Sequence, residues 1–166
     1  TVTFMAQTGE RVVLSGAREL QGTWQRVPDT LWVLPVPEAR DGQWVFRSLF
    51  RGDETLPRAR EPDTGSFTVA AVEEDRRRLK LQQTLPAAWH DLTGVEVDTT
   101  AYWHFNRQPV AEITADSVLG RRTIGTDVSS ARITAKSHSR MWLENALAFA
   151  DEAGEWFLDS AKGELY

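Results

Sequence analysis

The sequence predicts a mainly β protein: an antiparallel barrel or sandwich-like domain with one short helix. Three observations indicate this class. Short runs of β-forming residues recur between polar, glycine- or proline-containing turns. Aromatic residues are frequent, with seven Trp and seven Phe among 166 residues. A single segment shows the apolar period of an amphipathic helix. At 41% hydrophobic residues the chain can bury a core, and its length suits one domain, or one domain with pieces of a neighbour.

The composition excludes several classes of protein. The formal net charge is −5, whereas a nucleic-acid-binding domain shows a basic face. No stretch approaches the roughly 18 apolar residues of a membrane span. The absence of cysteine excludes disulfides, thiolate catalysis and cysteine-ligated zinc, although it does not determine the compartment. We expect no nucleic acid, membrane or cofactor as a partner.

The first 20 residues predict two short strands that meet at Gly9. They can form a hairpin or adjacent sides of one β-helix coil, and periodicity does not distinguish these. Residues 22–51 are strand-like and aromatic, and Trp44, Phe46 and Phe50 fall on one face of a strand. Residues 52–66 have the glycine, proline and aspartate content of a loop.

Residues 67–136 predict a series of strands. The strands at 66–70 and 79–82 flank a charged turn, and the stretch from Val95 to Phe105 predicts one long strand. Shorter strands follow, at 110–114, 117–123 and 131–136.

A helix is predicted near 139–150. Ser139 is a suitable N-cap, and an apolar stripe recurs at helical spacing through Trp142, Ala146, Phe149 and Ala153. Residues 155–166 predict a terminal hairpin around a turn at 160–163. The chain begins without Met and stops on Leu165-Tyr166, so we expect it to be a piece of a longer polypeptide.

No catalytic constellation is visible. His90, His104 and His138 lack metal-ligand spacing, and the nucleophile-elbow, Walker and dinucleotide motifs are absent. Glycoside cleavage needs two carboxylates. The candidate groups are Glu73/Glu74/Asp75 in a charged turn, Asp151/Glu152 at the exposed end of the predicted helix, and Glu155/Asp159, about 13 Å apart on an extended strand. We expect none of them to be catalytic, and no metal site.

Tryptophans and arginines are the candidates for binding. Trp rings stack on the apolar faces of sugars, although most are expected to lie in the core and two or fewer to face solvent. The arginines can meet an anionic polysaccharide, or pair with interleaved acidic residues. The binding or cleft-rim candidates are Trp44, Trp103, Trp156, Arg58 and Arg60. In an extended segment Arg58 and Arg60 share one face, and we expect them to serve a domain junction or cleft rim more than the domain's own stability.

Several blocks of residues resemble a known family. They are Val2-Thr-Phe-Met-Ala6, Val13-Leu-Ser-Gly16, Phe46-Arg-Ser-Leu-Phe50, Arg58-Ala-Arg60-x-Pro62, Trp142-Leu-Glu-Asn145, Gly154-Glu-Trp-Phe-Leu-Asp159 and Gly163-x-Leu-Tyr166. Together they resemble the insertion domain, with the flanking first coil, of right-handed parallel β-helix enzymes of glycoside hydrolase family 141 and its relatives. Residues 67–130 match only in their strand-like character, and Arg51-Gly-Asp53 stands where the family usually has a Val-Asn-Gly turn.

The resemblance implies three segments: a first β-helix coil at 1–19, a barrel or sandwich insertion domain at 20–135, and a helix plus hairpin returning to the β-helix at 136–166. It implies a secreted or periplasmic bacterial glycoside hydrolase acting on plant or microbial polysaccharide, whose catalytic carboxylates lie outside this chain. On this interpretation the chain is a non-catalytic accessory domain that contacts the β-helix and shapes the cleft. The alternatives are a self-sufficient carbohydrate-binding module and, more weakly, a catalytic fragment or part of a polysaccharide lyase.

Overall fold

The computed structural model describes residues 2–28, 31–73, 76–101, 104–123 and 140–166. This part of the chain is mainly β, with antiparallel sheets and no closed barrel, which confirms the predicted fold class in its sandwich-like form. The described residues form the strands β1 (Gln25–Arg26), β2 (Trp32–Pro35), β3 (Leu49–Arg51), β4 (Glu54–Leu56), β5 (Arg60–Glu61), β6 (Val69–Val72), β7 (Arg78–Leu81), β8 (Glu96–Ala101), β9 (His104–Ile113), β10 (Ser117–Gly120), β11 (Arg140–Glu144), β12 (Leu158–Asp159) and β13 (Glu164–Leu165).

The helical structure that the described residues contain is limited to short 3-10 turns at Pro37–Gly42, Ala87–Trp89 and Leu147–Phe149. None of these helices is long and apolar enough to cross a bilayer.

Seven strands form one curved sheet in the order β5-β11-β8-β9-β10-β7-β6. Its curvature brings Phe67, just before edge strand β6, into an antiparallel bridge with Met141 of β11, near the opposite edge. Side chains alternate across the sheet, so Val97, Met141 and Leu143 enter a large apolar core while their strand neighbours point to the other face. That other face carries the charged residues of the candidate site.

A smaller sheet in the order β1-β2-β13-β12 joins the two ends of the described chain. The terminal hairpin forms as predicted, with Leu158 opposite Leu165, and Leu165 also pairs with Leu34 of β2. This sheet packs on a second apolar core that includes Leu34 and Trp156. The described residues therefore form two apolar cores.

Some turns form where the sequence predicts them, but residues 52–66, predicted to be a loop, contain strands β4 and β5. The hairpin β3–β4 turns at Gly52, whose φ of +63° suits the first position of a type II′ turn. The strands β6 and β7 pair across the charged turn. The predicted long strand from Val95 is instead two antiparallel strands, β8 and β9, with Ala101 opposite His104.

The helix predicted near 139–150 is wrong over its first half. Residues Arg140–Glu144 are strand β11, paired with β8 along its whole length, and only Leu147–Phe149 is helical. Met141 and Leu143 are buried in the core, whereas Trp142 is only half-buried on the opposite face. Pairing with a long neighbouring strand decided the conformation, because four apolar residues at helical spacing are a weaker constraint than a complete ladder.

The two strands predicted within residues 1–20 are absent from residues 2–20 of the structure, which make no sheet ladder. A short isolated hairpin is marginal without a sheet or core to pack on. Large apolar side chains are left exposed there, including Phe4 and Leu14. Formation of a β-helix coil by this segment beside further coils stays a prediction.

Candidate functional site

A cluster of buried ion pairs lies on the outer face of the seven-stranded sheet. The strands β8 and β11 place Glu96 and Glu144 directly opposite each other, with Asp98 two residues along β8 on the same face. Arg58 lies 2.5 Å from Glu96 and 3.2 Å from Glu144. Arg107 of β9 binds Asp98 through two nitrogens and reaches Glu144 at 2.7 Å. We call these five residues the ion-pair cluster.

The ion-pair cluster joins the two cores. Arg47, from the aromatic segment that packs on the smaller core, donates to Glu96 at 2.9 Å. The Arg58 guanidinium lies 5.7 Å from the ring centroid of Trp156 in that same core. Trp142 donates its Nε1–H to the second oxygen of Glu144. The polar face of the large sheet is thus tied to the small core by charge-assisted hydrogen bonds.

Burial and the neighbouring arginines together determine the pKa values of the buried carboxylates. Burial opposes ionisation of Glu96, but hydrogen bonds from Arg47 and Arg58 outweigh it and lower the pKa of this group. Asp98 is 0% exposed, and burial, supported by the charges of Glu144 and Glu96 against the opposing Arg107, raises its pKa to about 6. Asp98 therefore takes up a proton under mildly acidic conditions.

The titration of Asp98 should be visible in the pH dependence of the free energy of unfolding. The pKa of Asp98 is raised from 3.8 to about 6, so the folded state holds the proton more tightly than the unfolded chain. The contribution of Asp98 is fully present below about pH 4 and is lost as the pH rises through about 6. We expect the free energy of unfolding of the wild type, minus that of Asp98→Asn, to fall between pH 4 and 7 in urea titrations. A difference that grows with pH would contradict the assignment.

The carboxylates of the ion-pair cluster lie close together, as a catalytic pair does, but they are buried and not accessible to a substrate. Both Asp98 and Glu144 accept hydrogen bonds from one nitrogen of Arg107, and both are buried. Arginine and tryptophan donors bind the carboxylate oxygens, so these groups are held in ion pairs and are not placed to act on a substrate. The arrangement is suited to holding two packed units together.

The sequence alone did not predict the ion-pair cluster. Two sequence patterns are consistent with it: acidic and apolar residues alternate at 96–98, and an apolar residue lies between an aromatic and an acidic one at 142–144. If each segment is a strand, its carboxylates lie on one face. The pairing of those two strands was not predictable, because the apolar spacing in residues 142–153 is helical and pairing between distant strands leaves no local pattern.

The carboxylates that the sequence nominated lie elsewhere. Asp159 accepts from the backbone of Ala161 and Lys162 and so holds the terminal turn. Asp151 lies with Glu61 and Asp63, with ligand atoms within 4.8 Å of one another. Burial first, and then the charges of these two neighbours, raise the pKa of Glu61. Glu74 and Asp75 lie outside the described residues.

A broad open groove with a volume of about 1740 Å³ lies beside the smaller core. Register places Trp24 and Trp32 on the same face of the β1–β2 ribbon, since Arg26 lies opposite Trp32 and Gln25 opposite Val33. Three rings along the groove are about half exposed: Trp24 at 43%, Trp32 at 53% and Phe50 at 50%. About half of each of these side chains is therefore open to solvent and not covered by the described residues.

The aromatic lining continues inward from the rim. Trp44 packs against Phe46 at 4.9 Å between ring centroids, and Phe46 stacks on Trp156 at 5.6 Å. Arg18 lies 4.4 Å over the Trp44 ring and also pairs with Glu38. The groove thus has an aromatic floor with paired charges at its edge.

Two of the nominated binding residues have other roles. Trp156 is only 2% exposed, so its ring is part of the smaller core and does not face a ligand. The Arg58 side chain is 8% exposed within the ion-pair cluster, so we expect it to contribute to the stability of this chain, and a role at a rim or domain junction stays a prediction. Both reach these positions because the segment at residues 57–59 pairs with Trp156 through backbone hydrogen bonds.

The remaining candidates stay predictions. Arg60 shares the face of Arg58, lies 4.7 Å over the Trp142 ring and donates to the backbone oxygens of Pro62 and Gly65. Trp44 lines the groove and is half-buried. Trp103 lies outside the described residues.

The fold resembles part of a known structure. A solved structure named "Glycoside hydrolase" superposes with a TM-score of 0.63 at 21% sequence identity, covering 87% of this chain and 27% of that one. This chain is therefore similar in fold to about a quarter of that protein's length. No family model matches the sequence, and no curated protein matches it. At this identity the similarity establishes a fold.

Proposed function

We propose that this chain is a non-catalytic accessory domain of a larger β-helix glycoside hydrolase acting on plant or microbial polysaccharide, where it shapes the substrate cleft. The observation that carries the proposal is the structural match, in which most of this chain corresponds to 27% of a protein named as a glycoside hydrolase. The resemblance of residues 142–145 and 154–166 to the insertion domain of such enzymes supports the same role.

The non-catalytic part of the proposal rests on the carboxylates. Among the described residues, those brought close together are either locked by arginine in the ion-pair cluster or grouped as the acidic trio around Glu61. The ion-pair cluster is buried. The acidic trio is partly exposed, and the hydrolysis assay below tests whether it is catalytic.

The proposed contact with a β-helix domain is supported by the first residues of the chain. The side chains of Val2, Phe4, Met5 and Leu14 are each at least 79% exposed, an unusual density of apolar surface in one short segment. Pairing with further coils would bury them. A secreted or periplasmic location is part of this proposal and rests on the family resemblance alone.

The accessory role predicts that the 166-residue chain does not hydrolyse polysaccharide. We expect no reducing-end release from xylan or from fucoside substrates above a blank reaction, because the closely placed carboxylates of the ion-pair cluster are buried and bound by arginine. The matched variants are Glu155→Gln, Asp159→Asn and Asp98→Asn. Turnover by the wild type that any of these substitutions abolishes would overturn the proposal.

A self-sufficient carbohydrate-binding module is the second candidate. The exposed tryptophans of the groove favour it over a passive scaffold, because a scaffold requires no exposed aromatic platform.

A further inference from the structure

The size and shape of the groove favour an extended ligand. Its volume of about 1740 Å³ exceeds the roughly 300–1,000 Å³ of pockets that enclose small molecules. Its lining comes from separate parts of the fold: residues 14–20, the β1–β2 ribbon, the β3–β4 hairpin and residues 150–156. An oligomer lying across these elements fits the shape better than a compact cofactor does.

The exposed rings supply the apolar part of recognition. Trp24 and Trp32 are diagonal neighbours on one ribbon, and Phe50 comes from a different hairpin. Each ring keeps one part packed and leaves about half of its surface to solvent. Flat rings that are anchored in this way offer stacking surfaces at a small entropic cost.

The charges along the groove favour an uncharged ligand. Three arginines and four carboxylates line it, so its net charge is near zero. The arginines are paired, Arg18 with Glu38, Arg47 with Glu96 and Arg51 with Glu54. An arginine and a carboxylate that form an ion pair can still donate to and accept from the hydroxyls of a ligand. Because their charges cancel, they do not attract a polyanion as unpaired arginines would.

We infer that this groove is a binding site for a neutral oligosaccharide or polysaccharide chain, with Trp24, Trp32 and Phe50 as stacking residues and the paired charges as hydroxyl partners. The inference rests on the proposed function for the class of ligand and goes beyond it by giving the domain a binding site of its own.

The test uses the 166-residue chain in isothermal titration calorimetry with xylohexaose, cellohexaose and mannohexaose as neutral probes and hexagalacturonate as the anionic probe. We expect at least one neutral probe to bind. The double variant Trp24→Ala, Trp32→Ala should weaken its binding at least tenfold, which corresponds to a loss of about 1.4 kcal/mol. Phe50→Ala is the independent variant. Phe105→Ala is the matched control, since Phe105 is 55% exposed but does not line the groove.

Three results would overturn the inference: no binding of any neutral probe, binding of hexagalacturonate alone, or neutral binding that survives both groove variants. A dimer in sedimentation that the double variant abolishes, without glycan binding, would identify a second copy of the chain as the occupant instead. This result can be distinguished from that of the hydrolysis assay. Turnover would contradict the accessory role but not the binding site in the groove. Absence of binding would contradict the binding site but not the accessory role.

Discussion

Replacement of Arg58 by alanine is expected to lower the free energy of unfolding by about 3–5 kcal/mol, because it leaves buried carboxylates without a compensating charge. Arg58 is held between Glu96 and Glu144, both nearly buried, and its guanidinium also lies against Trp156. The loss therefore acts on the contact between the two cores. Urea denaturation followed by tryptophan fluorescence measures it.

The matched control is Arg51→Ala, which removes an ion pair whose two side chains are 72% and 61% exposed. Exposed pairs contribute about 0–1 kcal/mol, so this variant should be close to wild type. Arg58→Lys keeps the charge but not the forked geometry, and it should recover part of the loss. Equal stability of the Arg58→Ala and Arg51→Ala variants would show that the ion-pair cluster contributes nothing beyond a surface pair.

Replacement of Trp156 by alanine is expected to cost about 3–5 kcal/mol as well, through the loss of a large buried ring and the cavity that remains. Trp156 stacks on Phe46 and donates its Nε1–H to the backbone oxygen of Leu56 at 3.2 Å. At roughly 2–4 °C per kcal/mol for a chain of this size, the melting temperature should fall by about 10 °C. Differential scanning calorimetry provides the measurement.

Two further variants keep this prediction testable if the alanine variant does not fold. Trp156→Phe retains most of the ring but not the donor, and it should cost about 1–3 kcal/mol for the unpaired carbonyl and lost contacts. Trp32→Ala truncates a ring that is half exposed, so it should change stability by no more than about 1 kcal/mol. A larger loss of stability from Trp32→Ala than from Trp156→Ala would contradict the prediction that Trp156, and not Trp32, is part of the core.

Local features of the fold were predictable because their causes are local. The β3–β4 hairpin forms around Gly52, which adopts a positive φ without a steric penalty. The terminal hairpin turns at 160–163, where Asp159 accepts from two backbone N–H groups. The extended backbone at 58–60 also follows from sequence, since it lies between prolines and points both arginines to one face.

The candidate site was predictable only in part. Trp44 and the abundance of tryptophan pointed to aromatic surfaces, but not to Trp24 and Trp32 as the exposed rings. The exposure of a ring depends on which strands lie beside it. Strand β2 pairs with β13 near the other end of the chain, with Leu34 opposite Leu165. The sequence also did not predict that Arg58 lies between the two cores of the described residues, bound to Glu96 and Glu144.

The sequence by itself determined the β class, the turn between β6 and β7, the terminal turn at 160–163 and the absence of cysteine chemistry, because these depend on composition and on neighbouring residues. The tertiary structure alone decided that residues 140–144 are a strand, that three carboxylates meet three arginines, and which tryptophans are buried. The physical reason is that a strand's partner, and with it the burial of each face, is set by backbone pairing between residues far apart in the chain. Local periodicity contains no information about that pairing.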